Sequence, residues 1–196
     1  MNRRNSFLLF GFLLPACVGV HLQVKNENVL GAGPYHRTLV VSRAPSRDTR
    51  DKVERAFRDA LWGTQQDPGR GVDLADFAVG KPLGAAKLGY DSVLVVDRDS
   101  IVHWDQPHPA TLPEALAPAA PPDGLAGTTV QSEGPGARRY ANGCARLYDA
   151  ATLRLVWTAH VTLAMDQNEW SVRPARAAAK AVVQRLIQDG LIRRIP

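Results

Sequence analysis

The chain has 196 residues, of which 45% are hydrophobic and 22% charged, with a formal net charge of +5. This composition is typical of one folded domain with an adequate core, and it excludes an intrinsically disordered chain. The basic residues form no dense patch interleaved with aromatic residues, so nucleic acid is not expected as a partner.

The start of the chain is typical of an exported protein. Arg3 and Arg4 precede the run 7–14, which is apolar apart from one glycine. A basic start and a short apolar core describe a secretory signal, and the run falls well short of the ~20 apolar residues that span a bilayer. We therefore expect residues 1–16 to be removed as a signal peptide, which lowers the charge to about +3.

The end of this run resembles the lipobox of bacterial lipoproteins, in the sequence Leu14-Pro15-Ala16-Cys17. The resemblance implies cleavage between Ala16 and Cys17, a diacylglyceryl thioether on Cys17 and usually a further N-acyl chain such as palmitate. Two or more acyl chains give stable membrane attachment. Val18 follows where an aspartate would retain a lipoprotein in the inner membrane of enteric bacteria. We expect an outer-membrane anchor with the domain in the periplasm.

The second cysteine bears on this interpretation. Cys144 lies in a predicted strand, so a buried, inert thiol is expected there. The alternative is a plain secretory peptide, in which case Cys17 and Cys144 could form a disulfide.

Residues 17–36 show no sustained hydrophobic period and are interpreted as an acylated tether. The folded domain is predicted over 37–192. Its first strand is 37–42, which is β-branched and apolar. Its first helix is 49–62, with Ser46 or Asp48 as N-cap. The apolar stripe of this helix contains Val53, Ala56, Phe57, Ala60 and Leu61. Two i,i+4 pairs are expected on the wet side, Asp48 with Lys52 and Glu54 with Arg58.

The middle of the chain alternates between loops and short elements. Residues 64–72 are predicted as a loop, 81–89 as a short helix and 92–96 as a second buried strand that continues towards 104. Seven of the 14 prolines of the chain then fall within 105–136. We interpret this segment as a long Pro-rich surface loop that adds little to the core, with one helical turn as an option at 113–116.

A β-hairpin is predicted over 138–163, with its turn at 149–152. One face of its second strand contains Leu155, Trp157, Ala159, Val161 and Leu163, and the other contains Arg154, Val156, Thr158, His160 and Thr162. The last helix is predicted to run from 172 or 173 to 189. Gly190 would end this helix, and residues 191–192 would fold back on it.

The segments Arg146-Leu147-Tyr148-Asp149 and Leu155-Val156-Trp157, followed by a helix ending at Gly190, resemble small proteobacterial lipoproteins. The architecture over 37–192 is similar to the N-terminal domain of the Tol–Pal propeller protein and to outer-membrane lipoproteins that activate penicillin-binding proteins. The resemblance implies an α/β (α+β) class: a single two-layer domain with a mostly antiparallel mixed sheet packed by two main helices. It implies no catalytic residue.

The sequence contains no motif for catalysis, metal binding or a cofactor. His103, Asp105 and His108 are the nearest approach to a cluster, and they lack the spacing of a metal site. Asp97 and Asp99 could share a strand face, although a solvated turn is the favoured interpretation. We therefore expect neither an enzyme nor a metal or cofactor.

Two classes of function remain. The favoured one is a non-catalytic binding or scaffolding lipoprotein that contacts an envelope protein through the Pro-rich loop. The residues expected at that contact are Trp104, Pro107, Pro109 and Pro113. The alternative is an envelope hydrolase with a site assembled from Asp97, His103 and His160.

Overall fold

A computed structural model describes residues 20–26, 32–44, 46–64, 68–73, 84–97, 111–116, 139–165 and 172–193. The strands in these ranges are β1 (Val20–Asn26), β2 (Thr38–Ser42), β3 (Gly69–Arg70), β4 (Ser92–Asp97), β5 (Arg139–Asp149) and β6 (Leu155–Met165). The α-helices are α1 (Arg47–Leu61), α2 (Leu112–Leu116) and α3 (Val172–Gln188), and 3-10 turns lie at Gly71–Asp73 and Ala85–Leu88.

The strands form a single mixed sheet in the order β1-β6-β5-β4-β2-β3. β2 runs parallel to β3 and β4, and the other neighbouring pairs are antiparallel. Helices α1 and α3 pack against each other and cover one face of the sheet. The predicted fold class, a mostly antiparallel mixed sheet packed by two main helices, is confirmed. In the described part of the chain, no helix is both long and apolar enough to cross a membrane.

Strand β1 corrects the predicted tether. The tether was assigned to 17–36, but Val20–Asn26 pair with β6 along their whole length, from Val20 opposite Leu163 to Asn26 opposite Trp157. The apolar side chains of β1 alternate with polar ones and pack against the helix-side core, which is the period of a half-buried strand. Only two residues therefore separate Cys17 from the sheet.

Helix α1 begins and packs as its sequence predicts. Ser46 is the N-cap, and its Oγ accepts a hydrogen bond from the Thr49 backbone N–H at 3.1 Å. Asp48, the alternative cap, lies in the first turn, where its charge favours the positive end of the helix dipole. Four members of the apolar stripe are buried, and Ala60 is partly buried.

Helix α3 ends as predicted. Gly190 adopts the left-handed conformation at φ +75°, which favours glycine. The Leu191 N–H then donates to the Leu186 carbonyl at 2.9 Å. Leu191 and Ile192 are buried against the helix-side core, so the fold-back of residues 191–192 is confirmed.

The opposite face of the sheet has a smaller apolar core. Strands β2 and β4 are buried on both faces, because their odd-numbered apolar residues pack there with α2 and the 3-10 turn at Ala85–Leu88. Leu112 is fully buried in this core, and its N–H donates to the Leu153 carbonyl at 2.8 Å. The interpretation of 105–136 as a loop that adds little to the core is wrong for residues 111–116.

The hairpin is confirmed, with one error in its predicted faces. Leu147 lies opposite Trp157, but Tyr148 lies opposite Leu155, so a β-bulge separates the two pairs. The bulge moves Leu155 to the smaller core and leaves Val156 with Trp157 in the helix-side core. Trp157 and the three apolar residues that alternate after it share the helix-side face as predicted.

The predicted loop 64–72 also contains more structure than expected. Gly69–Arg70 form the short edge strand β3, and Gly71–Asp73 form a 3-10 turn. Within the predicted helix 81–89, Ala85–Leu88 form a 3-10 turn. Residues 81–83 lie outside the described ranges. The predicted continuation of β4 towards 104 also lies outside them.

Candidate functional site

Four polar side chains lie close together on the sheet face opposite α1 and α3. We call them the arginine cluster: Arg43, Asp97, Arg146 and Thr158. Alternation along the strands places the last three on this face, because their sequence neighbours Val96, Leu147 and Trp157 belong to the helix-side core. Arg43 directly follows β2, and its N–H donates to the Val96 carbonyl at 2.9 Å.

Asp97 is the centre of the arginine cluster. Arg146 donates to Asp97 Oδ2 through Nη2, and Arg43 Nε lies 3.6 Å from Asp97 Oδ1. The side chains of Arg43, Asp97 and Arg146 are 24%, 13% and 8% exposed, so the cluster opens to solvent at Arg43. Two guanidinium groups therefore flank one carboxylate. Burial lowers the pKa of Arg146. The neighbouring Tyr148 side chain opposes this effect, and the charge of Arg43 adds to it.

The buried end of the cluster contains two polar atoms without a hydrogen-bond partner. Arg146 lies directly opposite Thr158 in the hairpin register. Among the described residues, Arg146 Nε and Thr158 Oγ1 are buried and form no hydrogen bond. Thr158 is fully buried and Arg146 is 7% exposed. Neither residue was predicted as a site candidate from the sequence, where the polar face of the predicted hairpin was the only signal for them.

The predicted hydrolase residues do not assemble in the described part of the chain. Asp97 lies opposite Cys144, and Cys144 lies opposite His160. Asp97 and His160 are therefore two strand spacings apart, roughly 10 Å. Asp97 is already paired with arginines, and His103 lies outside the described ranges. Within those ranges, no group of three His, Cys, Asp or Glu residues could hold a metal ion.

Cys144 is buried, as expected. The other sequence-predicted site residues mostly lie outside the described ranges. These are Ala16, Cys17, Asp99, Trp104, Asp105, Pro107, His108 and Pro109. Pro113 is described: it is partly buried in α2, next to the fully buried Leu112.

Glu54 is a buried carboxylate, although the sequence pattern predicted it at the surface. It was predicted to pair with Arg58 in solvent, but its side chain is inside and accepts from the backbone N–H groups of Ser42 at 2.8 Å and Val72 at 2.7 Å. Burial raises its pKa to about 7, against the opposing effect of these two hydrogen bonds. Both oxygens are engaged with the backbone, so Glu54 acts as a structural clamp. The other predicted pair, Asp48 with Lys52, is confirmed at 2.6 Å.

A groove of about 400 Å³ lies between α1 and α3 on the outside of the domain. Its walls combine apolar residues with Asp59, Arg176 and Lys180. Arg176 and Lys180 are exposed. Among the described residues, the groove contains no buried polar atom that lacks a hydrogen bond. In this respect it differs from the arginine cluster.

Comparisons with known proteins show the fold. No family model matches the chain, and no curated protein is similar to it. The PelC dodecamer from Paraburkholderia phytofirmans has a similar structure, with a TM-score of 0.50 and 13% identity over 90% of this chain and 100% of that one. A variant of the same dodecamer gives a TM-score of 0.49 and 12% identity, over 87% and 98% of the two chains.

The lipoprotein GNA1162 from Neisseria meningitidis is a more distant structural neighbour. Its TM-score is 0.39 at 14% identity, over 78% of this chain and 99% of that one. At these identities the likeness concerns the α/β fold and no residue of a site.

Proposed function

We propose that this protein is a lipid-anchored, non-catalytic binding or scaffolding protein of the bacterial envelope, on the outer membrane and facing the periplasm. One observation carries the proposal: the lipobox cysteine, Cys17, stands three residues before the edge strand β1. Three residues span at most about 11 Å. An acyl chain on Cys17 would therefore hold the β1 edge of the sheet at the membrane surface.

The partner of such a protein would be another envelope component. The resemblance to the Tol–Pal N-terminal domain and to activators of penicillin-binding proteins suggests an envelope protein as the partner. Because PelC forms a dodecamer, self-association of this protein should also be measured, by size-exclusion chromatography of the detergent-solubilised chain. The described residues supply no catalytic set that would favour the hydrolase alternative.

Substituting Cys17→Ser tests the anchor. We expect the variant to lose its acyl chains, escape cleavage before residue 17 and change its membrane fractionation, because the thioether is the substrate feature that lipoprotein processing requires. Labelling with palmitate and gel mobility measure this directly. Cys144→Ala is the matched control, since it removes the other cysteine and should leave processing intact. Unchanged labelling and fractionation of Cys17→Ser would refute the anchor.

Replacing residues 105–110 and 117–135 by short Gly-Ser linkers tests the Pro-rich loop as the partner contact, because it removes Pro107 and Pro109 with most of the loop. Residues 111–116 must be retained, because Leu112 fills the smaller core. We expect the melting temperature to stay unchanged and site-specific crosslinks from position 104 to an envelope protein to disappear. Matched crosslinks from the exposed Trp62 are the control. Persistence of the position-104 crosslinks would remove the loop from the proposed contact.

A further inference from the structure

The arginine cluster has unused hydrogen-bonding capacity at its buried end. Arg146 Nη2 donates to Asp97, whereas Nε–H has no acceptor among the described residues. The hydroxyl of Thr158 on the neighbouring strand is likewise buried and without a hydrogen-bond partner among the described residues. Buried donors are almost always satisfied in folded proteins, so a pair of unsatisfied neighbours needs an explanation. Their cross-strand positions put the two Cβ atoms about 5 Å apart, close enough for one small group to contact both.

The chemistry of the missing group follows from these two donors. It must accept from an N–H and from an O–H that lie side by side, which the two oxygens of one carboxylate do. The Arg146 guanidinium is cationic, and a hydrogen bond from a charged donor is strongest with an ionised acceptor, which favours an anion. A doubly charged phosphate is disfavoured, because Asp97 occupies Nη2 and would repel it. We infer that the arginine cluster binds a carboxylate group of a ligand through Arg146 Nε–H and the Thr158 hydroxyl.

This inference deepens the proposed binding function and rests on it, since it names the chemical group that the protein would recognise. Arg43 and Asp97 are the more exposed members, so they form the entrance, and Arg146 and Thr158 form the buried end. The ligand class is an acidic side chain, a chain terminus or another molecule that presents a single carboxylate. Binding would add an acceptor to a guanidinium that is otherwise only partly satisfied.

The test uses the detergent-solubilised full chain and acetate as the probe, at pH 7 and constant ionic strength. The Arg146 Nε–H resonance in a ¹H–¹⁵N spectrum should move saturably with acetate and stay fixed with chloride. Titration calorimetry should show affinity for acetate about tenfold weaker in Thr158→Val, which removes one hydrogen bond to a charged group and keeps the shape. Arg146→Lys, which keeps the charge but lacks Nε–H, should weaken binding at least as much.

Thr162→Val is the matched control, because Thr162 lies on the same strand and its hydroxyl already donates to Asn142 at 3.1 Å. It should bind acetate like the unsubstituted protein. Equal affinities of Thr158→Val and Thr162→Val, or an Nε–H resonance that acetate leaves in place, would overturn the inference. Phosphate binding as strong as acetate binding would overturn the carboxylate class. The Cys17→Ser result is independent of all three outcomes, so failure here and failure of the anchor are distinguishable.

Discussion

Replacing Trp157 by alanine should cost about 3–5 kcal/mol of unfolding free energy, as truncations of large buried aromatic side chains do. Trp157 is fully buried at the centre of the helix-side core, opposite Leu147 on β5 and Asn26 on β1. Its indole N–H donates to Asp189 Oδ2 at 2.8 Å, which ties the sheet to the end of α3. Alanine would remove this link and leave a cavity between the two layers.

Urea unfolding followed by circular dichroism measures the effect, because far-ultraviolet ellipticity does not depend on the tryptophan that is removed. Trp62→Ala is the matched control: Trp62 is 62% exposed and should change stability by less than about 0.5 kcal/mol. Trp157→Phe should fall between the two, since it retains most of the apolar volume and loses the hydrogen bond. Equal stabilities of the Trp157→Ala and Trp62→Ala proteins would mean that the hairpin register is wrong.

Glu54 should make the protein less stable as the pH rises from about 4.5 to about 7. Its pKa is raised from an ordinary 4.5 to about 7, chiefly by burial, so the folded state binds a proton in this interval that the unfolded state has released. The stabilising contribution of Glu54 is therefore fully present below pH 4.5, and it is lost as the pH rises through the pKa of the folded state. At 1.36 kcal/mol per pKa unit, the loss amounts to roughly 3 kcal/mol.

The Glu54→Gln variant isolates this contribution. Glutamine keeps the shape but does not titrate, so the variant lacks the pH-dependent loss, although it also loses one acceptor for the N–H groups of Ser42 and Val72. Unfolding free energies at pH 5 and pH 8 should therefore show the native protein losing roughly 3 kcal/mol relative to the variant. Parallel pH profiles of the two proteins would show that Glu54 does not titrate as its burial requires.

Sequence periodicity predicted most of the fold, because the main elements bury one face each. The stripe of α1, the Ser46 cap and the end of α3 at Gly190 are local signals, and the structure confirms them. Strand β1 shows the same alternation, but it was assigned to the tether because residues 17–36 as a whole show no sustained hydrophobic period. The bulge at Leu147/Tyr148 could not be predicted, since it depends on how the two hairpin strands pair.

The candidate site was harder to predict from the sequence than the fold. Arg146 and Thr158 are ordinary polar residues of a predicted strand, and neither belongs to a motif. Their significance arises from burial and from the cross-strand register, which are properties of the folded sheet. Glu54 is a case in which a sequence pattern gave a wrong prediction. Its i,i+4 spacing from Arg58 predicted a surface pair, whereas its side chain points towards β2 and the 3-10 turn at Gly71–Asp73.

We propose that Cys17 holds this domain at a membrane, with β1 immediately beside the anchor. Mass spectrometry of the N-terminal peptide, from protein isolated out of intact envelopes, tests it most directly. We expect a mature chain that begins at Cys17 and carries the mass of a diacylglyceryl group, with or without a further acyl chain. A chain that begins at another residue, or an unmodified Cys17, would contradict it.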